Sequence, residues 1–233
     1  MEARSAPGHR QRTRVGLTVV LAATCLGTFA ASVTAADAAP AASAPAVTAT
    51  GSRVREYDSI SALALQAVAA LEVTLEAPAG AAVSLGEYQV LRAQIATDLA
   101  NRLEIDPARM IAAWQNADLP HQLALMAAFT QLGVPYRRNT SRAGEGFDCS
   151  GLTTYAWGIA GTTLTRQSGA QIRNAAARTA DTAMAGDLVY YPGHVMLWLG
   201  VDNAIVHSPY TGRNVQVDTI GKRHGARYGN PIG

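Results

Sequence analysis

The sequence predicts an α+β fold, with helices first and antiparallel strands after them. Three observations carry that prediction. Between about residues 58 and 132, apolar residues recur at three- and four-residue steps. Beyond Gly186 the chain changes to short runs rich in Val, Ile, Tyr and Trp, such as Leu188-Val189-Tyr190-Tyr191 and Ala204-Ile205-Val206-His207. Gly186, Pro192-Gly193, Asp202-Asn203 and Pro209 to Gly212 separate those runs at lengths that suit hairpins rather than crossover helices.

The chain opens with Arg4, Arg10, Arg12 and Arg14, an apolar run from Val15 to about Ala30, and the small-residue exit Ala36-Asp37-Ala38. A basic start, a short apolar core and an A-x-A exit predict a secretory signal over residues 1–38. The run falls short of the ~20 residues that a spanning helix needs, so no membrane span is expected after its removal. Lipid anchoring at Cys25 is disfavoured because Thr24 stands where a small residue is required. Residues 39–56 are rich in Ala, Pro, Ser and Thr without apolar period, the composition of a disordered linker.

Residues 57–117 read as a helical region. Asp58 or Ser59 caps a first helix through Leu71 and Leu75, which Pro78-Ala79-Gly80 ends. A second runs from about Leu85 to Leu103 with Val90, Leu91, Ile95, Leu99 and Leu103 on one face. Asp106-Pro107 starts a third over Pro107 to Asn116. In residues 118–233 a helix is expected from Pro120 to Leu132, a loop over Thr140 to Gly146, and a helix over Cys149 to Gly158 with Leu152, Tyr155, Ala156 and Ile159 inward. Another helix is expected near Ser168 to Ala177. Strands follow at 188–191, 195–199, 204–207 and 214–218, where Tyr190, Tyr191 and Trp198 read as sheet packing.

Charge excludes one class of partner. The whole chain holds 19 basic and 17 acidic residues, and loss of residues 1–38 leaves 15 of each. A near-neutral protein gives no case for nucleic acid. Residues 53–117 are acidic on balance and the remainder mildly basic, which suits an anionic polymer and raises the expectation that the helical region covers a basic cleft.

Cys149 would be the sole thiol of the exported chain, and an unpaired cysteine in an oxidising compartment points to a reactive role. At the start of a helix its thiolate would meet partial positive charge. His194, directly after Pro192-Gly193, is placed to act as base. His207, on the next strand, can accept the Nδ1 proton of His194 and hold its tautomer. Backbone N–H groups of Cys149 or Ser150 are natural oxyanion donors. A zinc site of Cys149, His194 and His207 is disfavoured because no ligand pair is closely spaced, so neither metal nor other cofactor is expected. His121 and His224 lack supporting context and read as surface residues.

The blocks Gly133-Val134-Pro135-Tyr136, Phe147-Asp148-Cys149-Ser150-Gly151-Leu152, Leu164-Thr165-Arg166-Gln167-Ser168 with Gln171, Gly186-Asp187-Leu188-Val189-Tyr190, His194-Val195 and His207 follow in one order. That series resembles the NlpC/P60 family of bacterial cell-wall peptidases from about Pro120 to the C-terminus. The resemblance implies a papain-like core, helices packed on an antiparallel sheet. It implies hydrolysis of peptidoglycan stem peptides, typically between D-glutamate and a diamino acid. It assigns Cys149 as nucleophile, His194 as base and His207 as orienting residue, with Asp148 and Ser150 lining the acyl-side pocket and Tyr136 near the oxyanion. Alternatives on the same residues are an amidase or transpeptidase, or an inert cell-wall-binding module. Arg137-Arg138-Asn139-Thr140 stands where the family usually carries a Trp-Gly-Gly-like segment, so two arginines beside the cleft could prefer substrate carboxylates.

Overall fold

In the computed structural model, α1 (Ser59–Glu76) begins where the carboxylate of Asp58 folds back to accept the N–H of Ile60 at 3.0 Å. The structure describes residues 58–76, 85–221 and 225–233. The expected signal, Cys25, the linker and His224 lie outside the described residues. The fold is α+β, as the sequence predicts.

α2 (Gly86–Arg102) buries Tyr88, Leu91, Ile95 and Leu99. Val90 is the exception to the expected stripe and is 68% exposed. At ~100° per residue it lies on the far side of the helix from Ile95. α3 (Pro107–Asn116) has the predicted bounds, capped by Asp106, whose side chain accepts from Ala108 N–H at 2.9 Å. Its Trp114 stacks on Phe129 with ring centres 5.3 Å apart and donates Nε1–H to the Leu199 carbonyl at 2.9 Å.

α4 (Leu119–Phe129) is buried on every side from His121 to Phe129, as befits a helix with no polar face. Its one amide, Gln122, is satisfied inside. Oε1 accepts from the Tyr88 hydroxyl at 2.8 Å and Arg92 Nη1 at 2.7 Å, and Nε2 donates to the Ala117 carbonyl at 2.6 Å. α4 packs on α1 to one side and on α5 (Cys149–Ile159) to the other. One apolar cluster therefore runs from Ile60 through α4 and α5 to Val215.

β1 (Ser141–Arg142) and β2 (Gly146–Phe147) form a small hairpin within the stretch expected to be loop. After α6 (Ser168–Asn174) come β3 (Ala176–Arg178), β4 (Leu188–Tyr191), β5 (His194–Trp198), β6 (Ala204–His207), β7 (Gln216–Thr219) and β8 (Arg227–Asn230). The last six make one sheet in the order β3-β8-β4-β5-β6-β7, antiparallel throughout. β5 is buried along its length because both faces are covered. Val195 and Leu197 join the helical cluster, while Met196 and Trp198 meet Val189 and Ile205 on the other face.

Three expectations are corrected here. The helix expected through Ala177 ends at Asn174, and 176–178 are drawn into the sheet by pairing with β8. β8 itself, Arg227-Tyr228-Gly229-Asn230, carries no apolar alternation to announce it, yet it sits between β3 and β4. Ile159, expected inward, is 37% exposed at the end of α5, and Trp157 is fully buried instead.

His121 is the largest correction, for it is completely buried rather than on the surface. Its Nδ1 meets the Asp118 carboxylate, and its Nε2 meets Oδ1 of the fully buried Asp187 at 3.0 Å. Asp187 Oδ2 also accepts from the Met184 N–H at 2.9 Å. Gly186 lets the chain pass this close. At φ +99° a side chain there would be strained, and its Cβ would stand 2.8 Å from the Cβ and carbonyl oxygen of His121.

Candidate active site

Cys149 occupies the first turn of α5, and the turn before it is built around Asp148. Asp148 Oδ1 accepts from Gly151 N–H at 2.7 Å as the helix cap, and Oδ2 accepts from Asn139 N–H at 2.8 Å. Gly151 is required for a different reason than flexibility: a Cβ there would lie 2.1 Å from the Thr140 carbonyl oxygen. Helix start and preceding loop are thus in direct backbone contact beside the thiol.

The sheet supplies the histidines. His194 opens β5 and His207 closes β6, both nearly buried, with His194 Nε2 3.0 Å from His207 Nδ1. The half-buried Cys149 thiol lies near the backbone N–H groups of Val195, the residue after His194, and of Ser150, both of which favour its thiolate. The two imidazoles named from sequence therefore pair with each other, and the thiol lies beside the backbone of the residue that follows His194. One detail differs from expectation: the nitrogen that His194 turns toward His207 is Nε2, not Nδ1.

Electrostatics also depart from the simple helix-start picture. Burial pushes the Cys149 thiol above its usual pKa, against the pull of the Val195 N–H, and the Asp148 carboxylate adds to the rise. The helix N-terminus and N–H groups therefore act against a net upward shift, and a base would assist release of the thiol proton. Burial, then the charges of Cys149 and Asp148, push the Tyr136 phenol upward as well, which keeps it a proton-bearing donor near the sulfur.

Asp148 and Ser150 have structural engagements beyond those expected of pocket linings. Arg166 Nη2 donates to Asp148 Oδ2 at 2.6 Å, while Nη1 donates to Ser150 Oγ at 2.8 Å. The guanidinium neutralises the carboxylate closest to the thiol and ties the segment before α6 to the start of α5. Gln171 secures the same junction, donating from Nε2 to the Ser150 and Thr165 carbonyls at 3.1 and 2.8 Å. Replacing Arg166 by alanine is expected to cost about 1–2 kcal/mol in urea unfolding. It should also slow alkylation of Cys149 at neutral pH, because Asp148 would then act on the thiol unopposed. Lysine should not restore either property, since a point charge cannot bridge both partners.

Two clefts lie in this region, one lined by the chain neighbours of Cys149 and one by the histidines. One, of about 690 Å³, is lined by Asn139, Asp148, Ser150, Arg166 and residues 167–169. The other, of about 390 Å³, lies on the histidine side and includes Tyr191, Tyr210, Arg213, Gln216 and Asp218. Tyr191, expected only to pack, has its ring centre 5.3 Å from that of His194. Neither cleft is lined by a described residue of 58–117. α3 instead reaches Leu199, at the opposite end of β5 from His194. Sequence reasoning passed over the roles of Arg166, Gln216 and Asp218. The alternation Asn214, Gln216, Asp218 on a strand beside His207 was the available signal.

The second half of the chain is similar to known proteins. Residues 133–228 match the model of the NlpC/P60 family. This part of the chain is similar to that family. The γ-D-glutamyl-L-lysine dipeptidyl-peptidase of Bacillus cereus is 35% identical over 94 residues, which are 37% of this chain and 28% of that enzyme. The peptidoglycan endopeptidase RipA of Mycolicibacterium smegmatis is 33% identical over 116 residues, 42% of this chain and 23% of RipA. The chain thus spans about a quarter of the length of these relatives. Among solved structures, an NlpC/P60 family protein from Bacillus cereus superposes with a TM-score of 0.44 at 28% identity, covering 48% of this chain and 40% of that one. The NlpC/P60 segment contains every residue of the site from Tyr136 to Asp218.

Proposed function

We propose that this chain is an exported cysteine peptidase that hydrolyses peptide bonds in peptidoglycan stem peptides, cutting between D-glutamate and a diamino acid at the cell wall. The observation that carries the reading is the His194–His207 pair on adjacent strands, with Cys149 at a helix start beside the backbone of Val195. The choice of bond is supported by the name of the Bacillus cereus relative, a γ-D-glutamyl-L-lysine dipeptidyl-peptidase.

With Nε2 of His194 engaged by His207, Nδ1 is the nitrogen that serves the thiol. It takes the Cys149 proton as sulfur attacks the scissile carbonyl, and the resulting oxyanion is held by the Cys149 backbone N–H and the Tyr136 phenol. The intermediate collapses as the His194 imidazolium protonates the departing amine, leaving a thioester on Cys149. Water, deprotonated by His194, then attacks the thioester, and the released thiolate regains the proton. The acyl portion lies toward Asp148 and Ser150, the leaving amine toward Tyr191.

Mass analysis of fragments released from purified peptidoglycan tests the reading. Fragments ending in a free γ-carboxyl of D-glutamate, with a new amine on the diamino acid, are expected. Products cut at the cross-link would move the bond, an aminolysis product with added acceptor would mean transfer, and intact muropeptides would leave only a wall-binding role.

A further inference from the structure

A line of polar side chains runs from the surface to the imidazole pair, and its direction is set by the residue at its outer end. Arg213 donates from Nη2 to Gln216 Oε1 at 3.1 Å, with Nε at 3.4 Å. A guanidinium can only donate, so the oxygen of Gln216 must face it and the amide nitrogen must face the other way. That nitrogen donates to Asp218 Oδ2 at 3.1 Å, while Asp218 Oδ1 accepts from the Thr219 N–H at 2.8 Å. The carboxylate is thereby oriented although its side chain is 51% exposed, and Oδ2 lies 3.9 Å from His207 Nε2. The register explains the alignment. His207 pairs with Gln216 and Ile205 with Asp218, so Gln216, Asp218 and His207 share one face of the β6–β7 ladder.

We propose that Asp218, aimed by Gln216 and Arg213, is a positioning residue that fixes the tautomers of both active-site histidines. At 3.9 Å the Asp218 carboxylate acts on Nε2 of His207 through its charge rather than a direct hydrogen bond, and negative charge there favours the proton on that nitrogen. His207 Nδ1 is then a lone pair, which accepts from His194 Nε2–H across the 3.0 Å contact. His194 Nδ1 is left bare, the state in which it can take the thiol proton. In the reverse arrangement His207 would donate to His194 Nε2, Nδ1 would carry the proton, and the base would be blocked. The cations and acids facing the pair from the cleft are Arg213, Asp218 and the Tyr191 and Tyr210 phenols.

The proposal rests on the cysteine-peptidase reading, but its test need not. Alkylation of Cys149 by iodoacetamide across pH reports base-assisted thiolate formation without any peptidoglycan. Asp218→Ala should slow alkylation at neutral pH by roughly three- to tenfold, the effect of one carboxylate acting through a ring at this range. Asp218→Asn should be slower still, because its amide can donate to His207 Nε2 and impose the reverse tautomers. Asp218→Glu should recover most of the wild-type rate. If muropeptides are cleaved, the same order is expected in kcat with KM little changed. Asparagine no worse than alanine, or an effect confined to KM, overturns the proposal. Normal alkylation effects in a protein that cleaves no muropeptide would retain it and discard the peptidase reading.

Discussion

Cys149→Ala is expected to lower cleavage of peptidoglycan stem peptides by roughly ten-thousand-fold or more, with wild-type thermal stability. The thiol is half-buried at the edge of the apolar cluster, and alanine removes only its sulfur, so the change should fall mainly on chemistry. Cys149→Ser should be almost as inactive, since a hydroxyl holds its proton far more tightly than a thiol. His194→Ala should approach the same loss near neutral pH. Burial and the Asp148 carboxylate raise the thiol pKa, so its ionisation near neutral pH benefits from a base. Activity of that variant should recover partly as pH rises and the thiol ionises unaided. Steady-state rates of wild type and the three variants across pH, beside melting curves, check these outcomes. Wild-type turnover by Cys149→Ala would remove Cys149 from the mechanism.

The second large effect is on stability. His121→Ala should destabilise the fold by about 3–5 kcal/mol, because it leaves the fully buried Asp187 carboxylate without its partner. Against a total of about 5–15 kcal/mol for a domain, that loss is severe. The effect has a defined pH dependence. Burial by itself lowers the His121 pKa, but hydrogen bonds to Asp187 and Asp118 outweigh it and the net shift is upward. Only the imidazolium can donate to both carboxylates at once; a neutral ring would turn a lone pair toward one of them. A pKa raised on folding contributes stability fully below the unfolded value, about 6.5, and loses it as pH climbs through the folded value. The gap in unfolding free energy between wild type and His121→Ala should therefore be widest below about pH 6.5 and narrow toward alkaline pH. Urea titrations at acid, neutral and alkaline pH measure it, and a gap that widened with pH would contradict the assignment.

His121 also shows where sequence reading stops. A lone histidine on α4 offered no periodic signal, and its two carboxylates stand three residues before it and 66 residues after it. The helices of the first half were legible because caps and periodicity are local, and Asp106-Pro107 set the start of α3 to the residue. β8 was not, since pairing with β3 and β4 makes it a strand rather than its composition. In the site, Cys149, His194 and His207 could be named because each sits at an element boundary that the sequence marks. The ring nitrogen that each histidine presents, the Arg166 bridge to Asp148 and the Gln216–Asp218 line depend on side-chain directions that no spacing encodes.

The central claim is that the acyl half of the substrate passes through a covalent bond to Cys149. Acid-quenching the enzyme with a stem-peptide substrate during turnover, then mapping the intact and digested protein by mass, tests it most directly. The account predicts an adduct equal to the acyl fragment, located on the peptide bearing Cys149 and absent from Cys149→Ser. Rapid turnover with no adduct at that sulfur at any quench time, together with cleavage undiminished in Cys149→Ala, would contradict it.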